Sequence, residues 1–104
     1  MTAKKTQVTS PHFTVLFVDD EPSILRSIKR IIHKTNINML TATSGQEALE
    51  LFATHDITMI VSDMKMPNMS GSELLEKVAQ LYPETYRVIL TGFADLDSIM
   101  QAVN

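Results

Sequence analysis

Four side chains able to do chemistry stand just behind apolar runs of this sequence. Asp19 and Asp20 follow Phe13–Val18, Asp63 follows the run Ile57–Val61 after one serine, and Thr91 follows Tyr86–Leu90. If those runs are parallel strands, their carboxyl ends share one edge of a sheet, where open α/β sheets bind ligands. Asp19, Asp20 and Asp63 then converge although they are distant along the chain. Carboxylates at such range repel, so one holds a proton or all share a cation. An oxygen-only donor set, without cysteine or clustered histidine, favours a hard ion, magnesium ahead of calcium or zinc. Magnesium keeps several waters and completes its shell with phosphate oxygens, so an incomplete cage of acids points to phosphoryl chemistry. The competing explanation is structural, since an aspartate after a strand often serves as a turn residue or helix N-cap. Capping accounts for one such residue. It does not account for an adjacent pair, a third acid and a hydroxyl behind three different runs.

The elements that must position these groups are legible in order. Met1–Ser10 is polar and aperiodic, and residues 1–12 are expected to form a disordered tail. Phe13–Val18 predicts a strand buried on both faces. Pro22 suits a first helical position, and Ile24, Leu25, Ile28, Ile31 and Ile32 recur at helical spacing with Arg26, Lys29 and Arg30 facing outward. Met39–Ala42 predicts a weaker strand. Ser44 with Glu47, and Ser70 with Glu73, each have the spacing of a capping box. Ala48, Leu49, Phe52 and Ala53 form the apolar stripe of the first helix so opened, and Leu74, Leu75, Val78 and Leu81 that of the second. Ile57–Val61 and Tyr86–Leu90 predict further strands, and Asp95–Val103 the start of a fourth helix. The alternation β-α-β-α-β-α-β-α calls for parallel strands joined by right-handed helical crossovers.

The 104 residues, 44% hydrophobic and 20% charged, are enough for one domain with a packed core. A net charge of −3 offers no basic field for nucleic acid, so direct binding to DNA or RNA is not expected. The sequence has no cysteine, which removes disulfides and thiol catalysis. No apolar run is long enough to cross a bilayer, and no membrane association is expected. A cytoplasmic location fits. His12, His33 and His55 show no ligand spacing, and there is no glycine-rich phosphate loop for ATP or GTP. Met64, Met66 and Met69 are expected to pack under the loop after Asp63 or to meet a partner.

Three segments in order, Val15–Pro22 (VLFVDDEP), Val61–Gly71 (VSDMKMPNMSG) and Leu90-Thr91-Gly92, resemble the receiver domain of two-component response regulators, a CheY-like family. The resemblance covers residues 13–104. It implies a flavodoxin-like, doubly wound α/β fold with strand order 2-1-3-4 and four of the family's five βα units. It also implies that Asp63 is the phosphoacceptor for a sensor histidine kinase or phosphotransfer protein. Asp19, Asp20, Asp63 and the Lys65 backbone carbonyl would hold Mg²⁺, and Thr91 would contact the phosphoryl group and switch. Lys65, Gly92 and Phe93 would tune access and hydrolysis. Phosphorylation would then bias a two-state equilibrium and change the contacts made with an effector domain that lies outside this sequence.

In the resembled family a fifth strand carries a lysine and a switch aromatic, and a fifth helix follows; the sequence to Asn104 holds neither. The domain is therefore expected to be incomplete at its C-terminus and to self-associate through the fourth strand and first helix. Two other classes compete with the phospho-accepting signalling module. A pseudo-receiver would bind partners without taking phosphate. A magnesium-dependent phosphatase or phosphotransferase would place a second acid two residues after its nucleophile, where this sequence has Lys65. The module is expected not to be an enzyme beyond its own phosphorylation and dephosphorylation. The segment Thr91–Asp95 resembles receivers joined to HD-GYP-type phosphodiesterase or other enzymatic outputs.

Overall fold

The computed structural model describes residues 13–90. The expected tail, Thr91, Gly92, Phe93 and the fourth helix lie outside the described residues. Within them the order is β1 (Phe13–Val18), α1 (Pro22–Ile32), β2 (Ile37–Ala42), α2 (Gly45–Phe52), β3 (Met59–Asp63), α3 (Gly71–Leu81) and β4 (Tyr86–Leu90). The four strands form one parallel sheet in the order β2-β1-β3-β4, as expected for the doubly wound fold. Connecting parallel neighbours requires a crossover, and each crossover here is a helix.

Alternation along β1 divides the core in two. Val15 and Phe17 point to the side covered by α1, where they meet Leu25, Ile28, Ile32, Val61 and Leu90. Leu16 and Val18 point to the other side and pack with Ala42, Ala48, Phe52, Ile57, Ile60, Leu74 and Val78, beneath α2 and α3. Two-sided burial is why β1 and β3 are nearly unbroken apolar runs instead of alternating ones. The stacked rings of Phe52 and Tyr82, 4.6 Å between centroids, close the gap between the ends of α2 and α3.

Several boundaries differ from expectation. β3 begins two residues later than the apolar run suggested and ends on Asp63, while Ile57 is buried just ahead of it. β2 extends back to Ile37 because Ile37 and Asn38 pair with Phe13 and Thr14. The helical stripes are narrower than their sequences. Ile31 is 43% exposed because it lies about 100° around the helix from Ile32, at the rim of the buried arc. Leu81, the last residue of α3, is 62% exposed. Ala53 is the exposed C-cap residue of α2.

Ile60 is fully buried in the central strand. Ile60→Ala is expected to cost about 2–5 kcal/mol through lost transfer energy and an unfilled cavity. Urea denaturation would show this as a lower midpoint with an unchanged slope.

Candidate functional site

The site is built by strand ends in register. Val18 pairs with Ser62, so the residues that follow β1 and the last residue of β3 emerge side by side. The fold thereby brings Asp19, Asp20 and Asp63 together, each offering a carboxylate oxygen within 4.8 Å of the others. Asp63 itself pairs with Leu90, which makes Leu90 the last described residue of β4 beside the site.

The three acids differ in setting. Asp19 is only 9% exposed, its N–H donates to the Ala42 carbonyl (3.1 Å), and its Oδ1 accepts the Glu21 N–H at 2.9 Å. Burial pushes its carboxyl above the ordinary value, against the Glu21 N–H, which lowers it. The nearby charges of Asp63, Asp20 and Glu21 push it up further. Asp20 is exposed and Asp63 half-buried. The N-terminus of α1 starts directly behind the pair, with Pro22 in its first turn and Glu21 as a cap that makes no side-chain bond.

On the far side of Asp63 the loop is tied down by backbone. The Ser62 hydroxyl, fully buried, donates to the Asp63 carbonyl at 2.9 Å. The Gly71 N–H donates to the Met64 carbonyl at 2.8 Å. A Cβ on Gly71 would collide with the Asp63 carbonyl oxygen, so the start of α3 lies against the end of β3 only because residue 71 has no side chain. Between these ties Asn68 takes φ 70°, with the Met69 N–H donating back to Pro67 C=O at 2.7 Å, the hydrogen bond of a γ-turn. Asparagine tolerates that region better than most side chains. Ser70 and Glu73 form the complete capping box expected for α3. At α2 only half of the box forms. Ser44 accepts from Glu47 N–H, but the Glu47 carboxylate bonds Thr43 through both its N–H and hydroxyl.

The methionines divide between packing and exposure. Met66 and Met69 lie against the α2–α3 side of the core, and Met69 fills the space over Gly45. Met64 is 36% exposed, and its sulfur accepts the Ser72 hydroxyl at 3.2 Å. Lys65 is exposed, two residues beyond Asp63. Sequence reasoning picked out the three acids. It missed the service of Ser62 and Gly71 to the Asp63 backbone, for which the only signals were a buried serine in an apolar run and a glycine at a helix start.

Two outcomes follow for this geometry. Gly71→Ala is expected to cost about 3 kcal/mol, the upper part of the overpacking range, because backbone must give way; calorimetry on the purified variant would measure it. For Asp19 the folded value lies above the unfolded value near 3.8, so the folded state binds more protons in that window. Stability therefore falls as pH rises through it, and the cost persists at neutral pH. Without divalent cations, Asp19→Asn should melt higher than the parent at pH 7, with the gap closing as pH falls towards 4.

Residues 15–104 match the response regulator receiver domain. Among proteins it resembles, the hydrogenase transcriptional regulatory protein HoxA of Cupriavidus necator is 33% identical over 88% of this chain and 19% of its own length. A solved structure from Neptuniibacter caesariensis is 43% identical with a TM-score of 0.73, over 88% of this chain and 68% of the other. The signal receiver domain of an HD domain-containing protein from Pseudomonas fluorescens Pf-5 is 30% identical with a TM-score of 0.76, over 93% and 71%. The chain spans about a fifth of HoxA's length. With the strand order, the motifs and these likenesses in agreement, the chain belongs to the response regulator receiver domain family.

Proposed function

We propose that Asp63 accepts a phosphoryl group from a sensor histidine kinase or phosphotransfer protein, and that the modified domain changes its hold on an effector. The observation that carries this reading is the convergence of three carboxylates on one sheet edge, with Asp63 at the end of the central strand. Transfer breaks the phosphorus–nitrogen bond of phosphohistidine and forms a bond from an Asp63 oxygen to phosphorus. The imidazole nitrogen keeps the electron pair and takes a proton. Such transfers ask a protein mainly for alignment and charge neutralisation.

The donor set fits a hard divalent cation, since the cluster offers only carboxylate oxygens and none is a histidine or cysteine. Asp19, Asp20, Asp63 and the Lys65 carbonyl are the residues assigned to hold Mg²⁺. Bound there, the ion would neutralise charge on the phosphoryl oxygens. Asp19 is fixed by the Glu21 N–H and so is preset, whereas exposed Asp20 is free to adjust. Thr91 comes directly after Leu90, the register partner of Asp63, and is assigned the contact to a phosphoryl oxygen. Lys65, Gly92 and Phe93 are assigned to tuning, and the domain to signalling and not turnover. No helix among the described residues is long and apolar enough to cross a membrane, and a cytoplasmic setting suits a kinase partner.

Incubation with acetyl phosphate and Mg²⁺, followed by intact mass measurement, should add one phosphoryl group per chain. EDTA and Asp63→Asn should each abolish the addition. Loss of Mg²⁺-dependent labelling in Asp20→Asn, at unchanged melting temperature, would locate the ion. Labelling that survives Asp63→Asn would sink the assignment.

A further inference from the structure

We propose that Met64 is a site of reversible oxidation by peroxide, and that the Ser72 hydroxyl decides which of the two sulfoxide epimers forms there. The sequence has seven methionines and no cysteine, so thioethers are its only sulfur nucleophiles. Among the described residues, Met39 and Met59 pack against the core on the α1 side, and Met66 and Met69 against the core on the α2–α3 side. Met64 differs. It is 36% exposed and packs with neither core. Its sulfur accepts the Ser72 hydroxyl at 3.2 Å, although sulfur is a weak acceptor and water is within reach of that exposed hydroxyl. A methionine kept only to fill space would be covered by its neighbours and would hold no donor on its sulfur.

A thioether sulfur carries two lone pairs, and here they are not equivalent. The hydroxyl holds one, so peroxide reaches the other. The sulfur attacks one oxygen of hydrogen peroxide, and a sulfur–oxygen bond forms as the oxygen–oxygen bond breaks. The departing hydroxide takes the proton from the transferred oxygen and leaves as water. Sulfur loses two electrons and the peroxide gains them. A modest rotation of the Met64 side chain then brings the new oxygen to the same hydroxyl, as a stronger acceptor than the sulfur was. The product stays at the surface, and the Met64 carbonyl still accepts the Gly71 N–H. Methionine sulfoxide reductases, one for each epimer, reverse the step. The mark lies one residue beyond Asp63, but its formation depends only on the surroundings of the sulfur.

Limiting hydrogen peroxide on the full chain, followed by trypsin and mass spectrometry, reads the order of oxidation. Cleavage after Lys65 puts Met64 on the peptide of residues 35–65 and Met66 and Met69 on the next, while Met1 and Met100 fall on others. Fragment ions separate Met64 from Met39 and Met59. Met64 should be oxidised before these four core-packed methionines, with the melting temperature unchanged. Treating the digested peptide with each epimer-specific reductase should show one epimer in about threefold excess, as expected when the oxidant must displace a hydrogen bond to reach the second lone pair. Ser72→Ala removes the hydroxyl without touching the Ser70–Glu73 cap, so it should melt as the parent does and bring the epimers close to equality. Met64→Leu should abolish the early oxidation and keep the fold. Asp63→Asn should show the same order and the same excess, so the result stands apart from the phosphoacceptor assignment. Earlier oxidation of a core-packed methionine, equal epimers in the parent, or an excess that survives Ser72→Ala would overturn the inference.

Discussion

Like charges gather only where the backbone holds them, and the meeting of Asp19, Asp20 and Asp63 is the constraint on which the remaining architecture depends. Two features supply the force. The pairing of β1 with β3 fixes where the acids emerge, and the two-sided core clamps both strands so that neither can slip. A slip of one residue would exchange every inward side chain for the opposite face. The apolar cores therefore set the geometry of a polar site at their edge. The cost is visible at Asp19, whose carboxyl is held above its ordinary value by burial first and by neighbouring charge afterwards.

The chemistry suits this tension. Three carboxylates this close are less stable bare than neutralised, so a ligand that supplies positive charge would stabilise the fold by linkage. Asp19 is fixed by the Glu21 N–H, whereas Asp20 is exposed, so the two neighbouring acids differ in how far they are preset. On the other side, the hydrogen bonds of Ser62 and Gly71 hold backbone and use none of the Asp63 carboxylate oxygens.

The fold was legible because its signals are redundant. Phe13–Val18 and Tyr86–Leu90 stand out as apolar runs, and Pro22 and Ser70 punctuate the helices that follow. The acids were legible because the same architecture puts strand ends together whatever the residues are. Less clear were effects that depend on three-dimensional approach. Ile31 and Leu81 fit a helical stripe by spacing, but Ile31 sits at the rim of the buried arc and Leu81 at the helix end, and both stay exposed. Glu47 has the spacing of a capping box yet bonds Thr43, because a carboxylate reaches either of two adjacent N–H groups with similar ease. The need for glycine at 71 cannot be read from composition, since it arises from an oxygen on a residue eight positions earlier.

That contact has a mechanical meaning. With the first residue of α3 pressed against the Asp63 carbonyl and hydrogen-bonded to that of Met64, helix and strand behave as a single welded part. A change at the Asp63 carboxylate is then poorly transmitted by sliding α3. The piece near Asp63 outside that weld is the short Lys65–Asn68 span, with its tight reversal at Asn68. Strain that starts at the carboxylate is steered into that span, leaving the α2–α3 side as the fixed frame beside it.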